Sequence, residues 1–282
     1  MHASSPSFDR SGDIVPASPV ILSVPHAGRE YPMALRAALR VPMAAVTILE
    51  DRHIDAVALA ARGCETMLIQ RRARAWIDLN RSELERDPAI DEGAVWTAPP
   101  QTSAKVRGGL GLVPRRVAGA GELWRRRLDA YDVAARIRED HRPYHAALAA
   151  ELAAAQARFG AAVLLDLHSM PSLGPGKPRV VIGDRFGRSA NGRFVAAIEA
   201  VVAAAGYTVA LNTPYAGGHI LDTHAQPASG VHAVQIEFDR SLYLDPVGDG
   251  PGDGLAATAA LLRGMIDALA DEATATLAVA AE

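Results

Sequence analysis

Two histidines that follow short apolar runs are the first candidates for metal-binding residues in this chain. Val20–Val24 is followed, after Pro25, by His26. Val163–Leu167 is followed directly by His168. Both runs have the composition of buried strands, and the polar residues after them mark the strand ends. Ligands of α/β proteins bind at the carboxyl ends of the strands, and imidazoles are common metal ligands. The two histidines therefore predict a metal site at this edge of a sheet.

A catalytic zinc site needs three protein ligands and an open position for water, so a third ligand has to be found. The acidic cluster at residues 50–55 offers candidates. We favour Asp51, with His53 and Glu50 as alternatives. The same cluster would also suit the start of a helix near Ile54, because acidic side chains are favoured at helix N-termini.

Glu237 is the residue that we predict as the general base. The alternation in this segment puts Val234, Ile236 and Phe238 on one face of a strand, with Gln235 and Glu237 on the other. A carboxylate in a strand covered on both sides is costly unless it is paired, hydrated or near a metal. A base beside an activated water molecule meets that condition. An ion pair with a neighbouring arginine and a solvent-facing strand position are the alternatives.

Two further pairs of residues are candidates for binding a substrate. Asn80 and Arg81 close the predicted strand Ala75–Leu79. A guanidinium binds a carboxylate through two parallel hydrogen bonds, and asparagine adds a donor, so this pair suits an acidic or amino-acid substrate. Gly218 and His219 lie in a predicted loop, where glycine allows close approach to a ligand and the histidine either contacts substrate or forms an ordinary turn.

Other kinds of catalytic site are disfavoured by the sequence. Ser169 lies in no GxSxG elbow, so a serine hydrolase is not indicated. The glycines of 108–111 follow no strand and precede no GK[ST] sequence, so a phosphate loop is the less favoured interpretation. They belong instead to a predicted flexible active-site loop between residues 87 and 121.

The order of apolar runs and alanine-rich stretches predicts a mainly parallel sheet with covering helices. The predicted strands are Val20–Val24, Thr66–Gln70, Ala75–Leu79, Ala162–Leu167, Val180–Ile182, Thr208–Leu211 and Ala233–Phe238. The predicted helices are Ile54–Arg62, Leu123–Ala157 with a break near Pro143, Ala190–Ala205 and Leu255–Leu269. We predict one domain over residues 1–282, with a flexible N-terminal segment at residues 1–18.

Composition narrows the class of protein further. The 282 residues are 49% hydrophobic, and the net charge of −3 gives no basis for binding nucleic acid or an anionic membrane. The sequence has no signal-peptide pattern and no long uncharged apolar stretch. The single cysteine, Cys64, which we predict to be packed, fits a reducing compartment. We expect a cytoplasmic protein with a small-molecule substrate, and its oligomeric state stays open.

Five short blocks of these residues resemble the N-formylglutamate amidohydrolase family. The blocks are Val24–Gly28, Asp78–Arg81, Asp166–Ser169, Gly217–Ile220 and Gln235–Glu237, in the order in which the family has them. The family is similar in layout to zinc carboxypeptidases. The resemblance therefore implies a three-layer α/β/α fold, with a central mixed, mostly parallel sheet and a metal at its carboxyl edge.

The resemblance also implies roles for individual residues. His26 and His168 would bind the metal, and Glu237 would be the base. Asn80 and Arg81 would hold the substrate carboxylate. Asp51 stays the favoured third ligand on the residues alone.

The expected reaction is the metal-dependent conversion of N-formyl-L-glutamate and water to formate and L-glutamate. We expect Zn²⁺, although iron, cobalt or manganese would suit the same mixed ligands. His224 and Ala225 stand where the family often has Tyr-Gly, a difference that bears on the substrate. The alternatives are a related amidase or peptidase with another acyl substrate, and a non-catalytic ligand-binding protein on the same fold.

Overall fold

The structure, a computed structural model, describes residues 6–95, 103–247 and 250–280, and of residues 276–280 only the backbone. Residues 1–5 of the predicted N-terminal segment and 96–102 of the predicted loop lie outside the described residues. The prediction of one domain over residues 1–282, with a flexible segment at 1–18, stays a prediction. The chain divides into a first unit and a second unit. The first comprises Met1–Asp9, Pro25–Asp51 and Gln70–Ala146, and the second Arg10–Val24, Arg52–Ile69 and Ala147–Glu282.

A seven-stranded sheet is the centre of the fold. The strands are β1 (Phe8–Ser11), β2 (Val20–Val24), β3 (Thr66–Gln70), β4 (Arg116–Val117), β5 (Gly121–Glu122), β6 (Ala162–Met170), β7 (Val180–Gly183), β8 (Val209–Leu211) and β9 (Val231–Asp239). Their order in the large sheet is β1-β3-β2-β6-β9-β7-β8, and β4 and β5 form a separate small sheet. The pair β7–β9 is antiparallel, whereas β2–β3, β2–β6, β6–β9 and β7–β8 are parallel. The predicted α/β fold with a central mixed, mostly parallel sheet is confirmed.

The strands β6 and β9 are two long neighbouring strands in the middle of this sheet. Every residue of both strands is buried, and the two are paired over their whole length. Strands buried on both faces are expected to be almost continuously apolar. The polar residues in β6 and β9 are therefore exceptions that call for a functional explanation.

The helices of the second unit cover this sheet with apolar faces. The helices of the chain are α1 (Met33–Ala38), α2 (Met43–Val46), α3 (Ile54–Ala61), α4 (Ala104–Arg107), α5 (Ala130–Arg136), α6 (Arg142–Phe159), α7 (Gly192–Ala204), α8 (His219–His224) and α9 (Leu255–Ala280). Helix α9 packs on both α3 and α7. Its buried residues Leu262, Met265, Ile266 and Leu269 recur at helical spacing. None of the helices in the described part of the chain is long and apolar enough to cross a membrane.

The strand predicted at Ala75–Leu79 is wrong. These residues form turns instead, in which Trp76 N donates to Ala73 O at 2.8 Å and Asp78 N donates to Leu112 O at 2.8 Å. Ala75, Ile77 and Leu79 of this segment are buried. The carboxylate of Asp78 accepts from Asn80 N at 2.8 Å, and this local hydrogen bond competes with strand pairing.

The helix predicted from Leu123 begins later, at Ala130. Asp129 is its N-cap, with a side chain that accepts from Tyr131 N at 2.7 Å. A π-helical turn, Ile137–His141, joins α5 to α6 just before Pro143. The helical path therefore continues past this proline, which has no N–H to donate to the preceding turn.

Cys64 is exposed, so the prediction that it is packed is wrong. It lies in the turn between α3 and β3, before the buried strand residues begin at Thr66. Its Sγ is 3.9 Å from the carbonyl oxygen of Ala17.

Candidate active site

His26 is the central residue of the candidate site in the first unit. Its Nε2 lies 2.7 Å from Oδ1 of Asp78, and its Nδ1 lies 3.5 Å from Oδ2 of Asp51. All three side chains are buried. The backbone also brings Asp51 to His26, since Asp51 N donates to His26 O at 3.0 Å. A histidine that donates one ring N–H to a carboxylate presents its other nitrogen as a lone pair, as metal-binding histidines do.

Asp78 is fully buried and stays charged. Burial works against ionisation of this carboxyl group. The charges of Arg74, His26 and Arg81 outweigh burial and hold its pKa well below the usual value. Arg74 Nε is 2.8 Å from Oδ2, while Oδ1 accepts from Asn80 N at 2.8 Å. A permanent carboxylate at this position fixes the orientation of the His26 ring.

The turn that carries His26 requires the glycine that follows it. A Cβ atom on Gly28 would lie 2.2 Å from the carbonyl oxygen of Arg72 and 2.6 Å from the backbone of Arg71. No side chain fits at this approach. The sequence Pro25–Gly28 therefore has a structural reason: the chain leaves β2, places His26, and passes directly against another backbone segment.

His168 is the central residue of the candidate site in the second unit. Its Nε2 lies 2.8 Å from Oδ2 of Asp166, which is on the same strand. Ser23 on β2 donates to Oδ1 of Asp166 at 2.7 Å and is its partner in the strand register. All three side chains are buried. This histidine therefore has the same kind of carboxylate partner as His26, supplied by the sheet itself.

Glu237 lies beside His168 in the strand register of β6 and β9. It is 7% exposed. Gln235, two residues earlier on the same face, donates from Nε2 to Oε1 of Glu237 at 2.9 Å and is opposite Asp166. A buried carboxylate and an imidazole thus share one end of two central parallel strands, where acid–base chemistry is expected.

The predicted substrate residues are held firmly in their own units. Arg81 is 7% exposed, and its Nε and Nη1 donate to Leu110 O at 2.8 Å and to Asn80 O at 2.7 Å. Asn80 is buried as well. In the second unit, Gly218 precedes α8 and His219 begins it. The His219 ring is half-buried and lies 3.2 Å from Thr223 Oγ1.

Among the candidates for a third metal ligand, Asp51 has a carboxylate oxygen 3.5 Å from Nδ1 of His26. Glu50 accepts a short hydrogen bond from the hydroxyl of Tyr31. His53 has a left-handed backbone, with φ of 58°, and is the residue before α3. Groups of histidine and aspartate side chains that could hold a metal ion are present among the described residues, and His26 and Asp51 belong to one of them.

The sequence analysis assigned no role to Asp78, Asp166 or Ser23. A signal for Asp166 was present, because residues i and i+2 of a strand lie on one face and His168 follows at that spacing. Ser23 could be found only from the strand register. Asp78 comes from a segment far from His26 in sequence, so local spacing gives no indication of it.

A buried carboxylate and an oriented histidine at the carboxyl ends of central strands form the kind of site at which enzymes of the α/β class carry out acid–base chemistry. Comparison with known proteins identifies the family to which the chain belongs. Residues 18–244 match the family model described as N-formylglutamate amidohydrolase, so the chain belongs to this family. The resemblance inferred from the motifs is confirmed, and with it the amidohydrolase class.

Relatives and solved structures agree with this assignment. The N-formylglutamate deformylase of Pseudomonas aeruginosa is 33% identical over 263 residues, covering 89% of this chain and 92% of the relative. That of Pseudomonas putida is 32% identical, covering 80% and 82%. The crystal structure of N-formylglutamate amidohydrolase from Ralstonia eutropha JMP134 has a TM-score of 0.83 at 32% identity, covering 95% and 97%. A structure from Agrobacterium tumefaciens, with a TM-score of 0.66 at 20% identity, shares the fold.

Proposed function

We propose that this chain hydrolyses N-formyl-L-glutamate to formate and L-glutamate with the help of a divalent metal ion. The family and the names of the relatives support the reaction. The single observation that carries the chemistry is the position of Glu237 beside His168, both buried, at the end of two parallel strands. Burying a carboxylate is costly unless it is paired, hydrated or near a metal ion, and a proton carrier beside a metal-activated water meets this condition.

His26, Asp51 and His168 would hold the metal in this proposal, and Zn²⁺ is the ion that we favour. Two observations support the set. Ser23 is opposite Asp166 in parallel strands, and His26 and His168 come just after this pair. Each histidine also has a buried carboxylate on Nε2, the partner that orients metal-binding imidazoles. Two imidazoles and a carboxylate are donors that suit zinc. A bound divalent ion would supply an activated water molecule and polarise the amide carbonyl.

Glu237 is the proton carrier of the reaction. It accepts a proton from the water molecule that attacks the formyl carbon and gives it to the nitrogen of the leaving amine. The hydrogen bond from Gln235 holds one carboxylate oxygen in place. The amide C–N bond is broken in this step, and the products are formate and L-glutamate.

Arg81 would bind a carboxylate of the substrate, with Asn80, Gly218 and His219 completing the contacts. Its Nε and Nη1 are held by backbone carbonyls, so its guanidinium is oriented before the substrate arrives. The small-molecule substrate class is shared with the family. The cytoplasmic location stays a prediction.

The experiment that tests the function measures formate release from N-formyl-L-glutamate together with the metal content of the protein purified without chelators. We expect activity, close to stoichiometric metal, and loss of activity on chelation. N-acetyl and N-succinyl amino acids in the same assay test for another acyl substrate. A folded, metal-free protein that releases no formate would favour the ligand-binding alternative.

The variant Glu237→Gln tests the proton carrier. We expect turnover to fall about 10³-fold while the metal stays bound, because the amide keeps the size of the side chain but accepts no proton. Glu199→Gln, a change of the same kind on helix α7, is the matched control and should leave turnover unchanged. Near-normal turnover in Glu237→Gln would refute the role of Glu237.

A further inference from the structure

Arg240 lies at the end of the sheet that carries His168 and Glu237, and the predicted site does not include it. It directly follows β9 and begins a short 3₁₀ turn, Arg240–Leu242. Its Nε donates to Oγ of Ser169 at 3.0 Å. Ser169 is buried and comes directly after His168 on β6. This hydrogen bond links the arginine to the residue that follows the candidate metal ligand His168.

The neighbouring carboxylate, Asp239, has other partners. Arg179 Nε is 2.8 Å from its Oδ2, and its Oδ1 accepts from the backbone N–H and the hydroxyl of Ser241 at 2.9 Å and 2.7 Å. Asp239 is fully buried, and these contacts pair its side chain with Arg179 and Ser241. Asp239 thus shapes the turn, and Arg240 is positioned by Ser169.

We propose that Arg240 binds a carboxylate of the substrate and so selects an acidic amino acid. The inference rests on the proposed function, because N-formyl-L-glutamate carries two carboxylates in addition to the amide that reacts at Glu237. A guanidinium binds a carboxylate through a planar pair of N–H groups, and the hydrogen bond from Nε to Ser169 helps to orient this plane.

The two substrate carboxylates are distinguished by three substrates in one assay. These are N-formyl-L-glutamate, N-formyl-L-glutamine, which lacks the side-chain carboxylate, and N-formyl-L-isoglutamine, which lacks the α-carboxylate. Arg240→Gln and Arg240→Lys are compared with the wild-type protein for kcat and KM on each. Arg188→Gln, an exposed arginine of the same unit, is the control.

For Arg240→Gln we expect kcat/KM on N-formyl-L-glutamate to fall about 100-fold, mainly through KM, as for a lost charge-assisted contact. The substrate in which an amide replaces the carboxylate bound by Arg240 should lose much less of its kcat/KM. The variant should therefore discriminate much less between that substrate and N-formyl-L-glutamate. If the variant no longer discriminates against N-formyl-L-glutamine, Arg240 binds the side-chain carboxylate. If it no longer discriminates against N-formyl-L-isoglutamine, Arg240 binds the α-carboxylate. Arg240→Lys should recover part of the loss because it keeps the charge.

An equal fall on all three substrates would overturn the proposal, since it would mean that Arg240 only supports the structure. Thermal unfolding of each variant checks that result independently. The wild-type assay separates the two hypotheses. Formate release by the wild type with unchanged selectivity in Arg240→Gln rejects Arg240 alone, whereas no release by the wild type from any of the three rejects the proposed function.

Discussion

His26 and His168 are both oriented by a buried carboxylate, but different kinds of structure hold that carboxylate in place. Both histidines place Nε2 against a buried aspartate. His26 has its aspartate in a chain of turns, surrounded by arginines. His168 has its aspartate on its own strand, held by the serine of the next strand. A sheet fixes such a pair through register, while a loop needs charges and close backbone contacts to do so.

The largest difference between the two surroundings is expected in the free energy of unfolding of the variants Asp78→Asn and Asp166→Asn. Asp78→Asn leaves positive charges around a buried neutral group, so we expect a loss of about 3–5 kcal/mol in the free energy of unfolding. Asp166→Asn disturbs hydrogen bonds alone, and about 1–3 kcal/mol is expected. Urea unfolding of metal-free protein measures both, with the exposed Asp271→Asn as control. Equal losses would contradict the difference that we draw.

The same two variants should agree in a second measurement. Each removes the carboxylate that orients a histidine, so we expect metal affinity to fall about 10–100-fold in both. Competition with a chelator of known affinity measures this without any assay of activity. Unchanged affinity in either variant would show that its histidine is not a ligand oriented in this way.

Gly28→Ala tests the close backbone contact on which only the His26 surroundings depend. The added Cβ would meet Arg72 O at 2.2 Å, so the turn has to move. We expect a loss of about 3 kcal/mol in the free energy of unfolding. Gly192→Ala, where a Cβ meets nothing within 4 Å, is the matched control and should be neutral or slightly stabilising. A neutral Gly28→Ala would mean that the turn adapts.

The smallest effect concerns acid stability, for which we compare one buried histidine of each unit whose pKa is lowered. Burial, followed by the charge of Arg193, lowers the pKa of His232 from 6.5 to about 4. The unfolded state therefore binds more protons between these values, and stability falls as the pH decreases from about 6.5 toward about 4. Burial also lowers the pKa of His141 in the first unit.

The variants His232→Asn and His141→Gln compare these two histidines. The free energy of unfolding is measured between pH 7 and pH 5. His232→Asn keeps an acceptor for Asn191 N and should reduce the dependence on pH more than His141→Gln. The opposite order would place the main acid-sensitive group in the first unit.

Much of the fold and half of the site could be predicted from local pattern. The apolar runs gave β2, β6 and β9, because buried parallel strands have a strong compositional signal. His168 and Glu237 followed from the same runs, since each lies in or just after one. The turns at Ala75–Leu79 could not be predicted in this way, because alternation marks burial whether a segment pairs as a strand or not.

The sequence by itself determined the family, the chemical types of the site residues and the strands that carry His168 and Glu237. Short-range spacing is enough for these features, since a strand sets the direction of successive side chains. Only the tertiary structure decided that His26 contacts Asp78, that Ser23 supports Asp166, and that Arg240 is anchored by Ser169. These contacts join residues far apart in sequence, and strand register and turn packing bring them together.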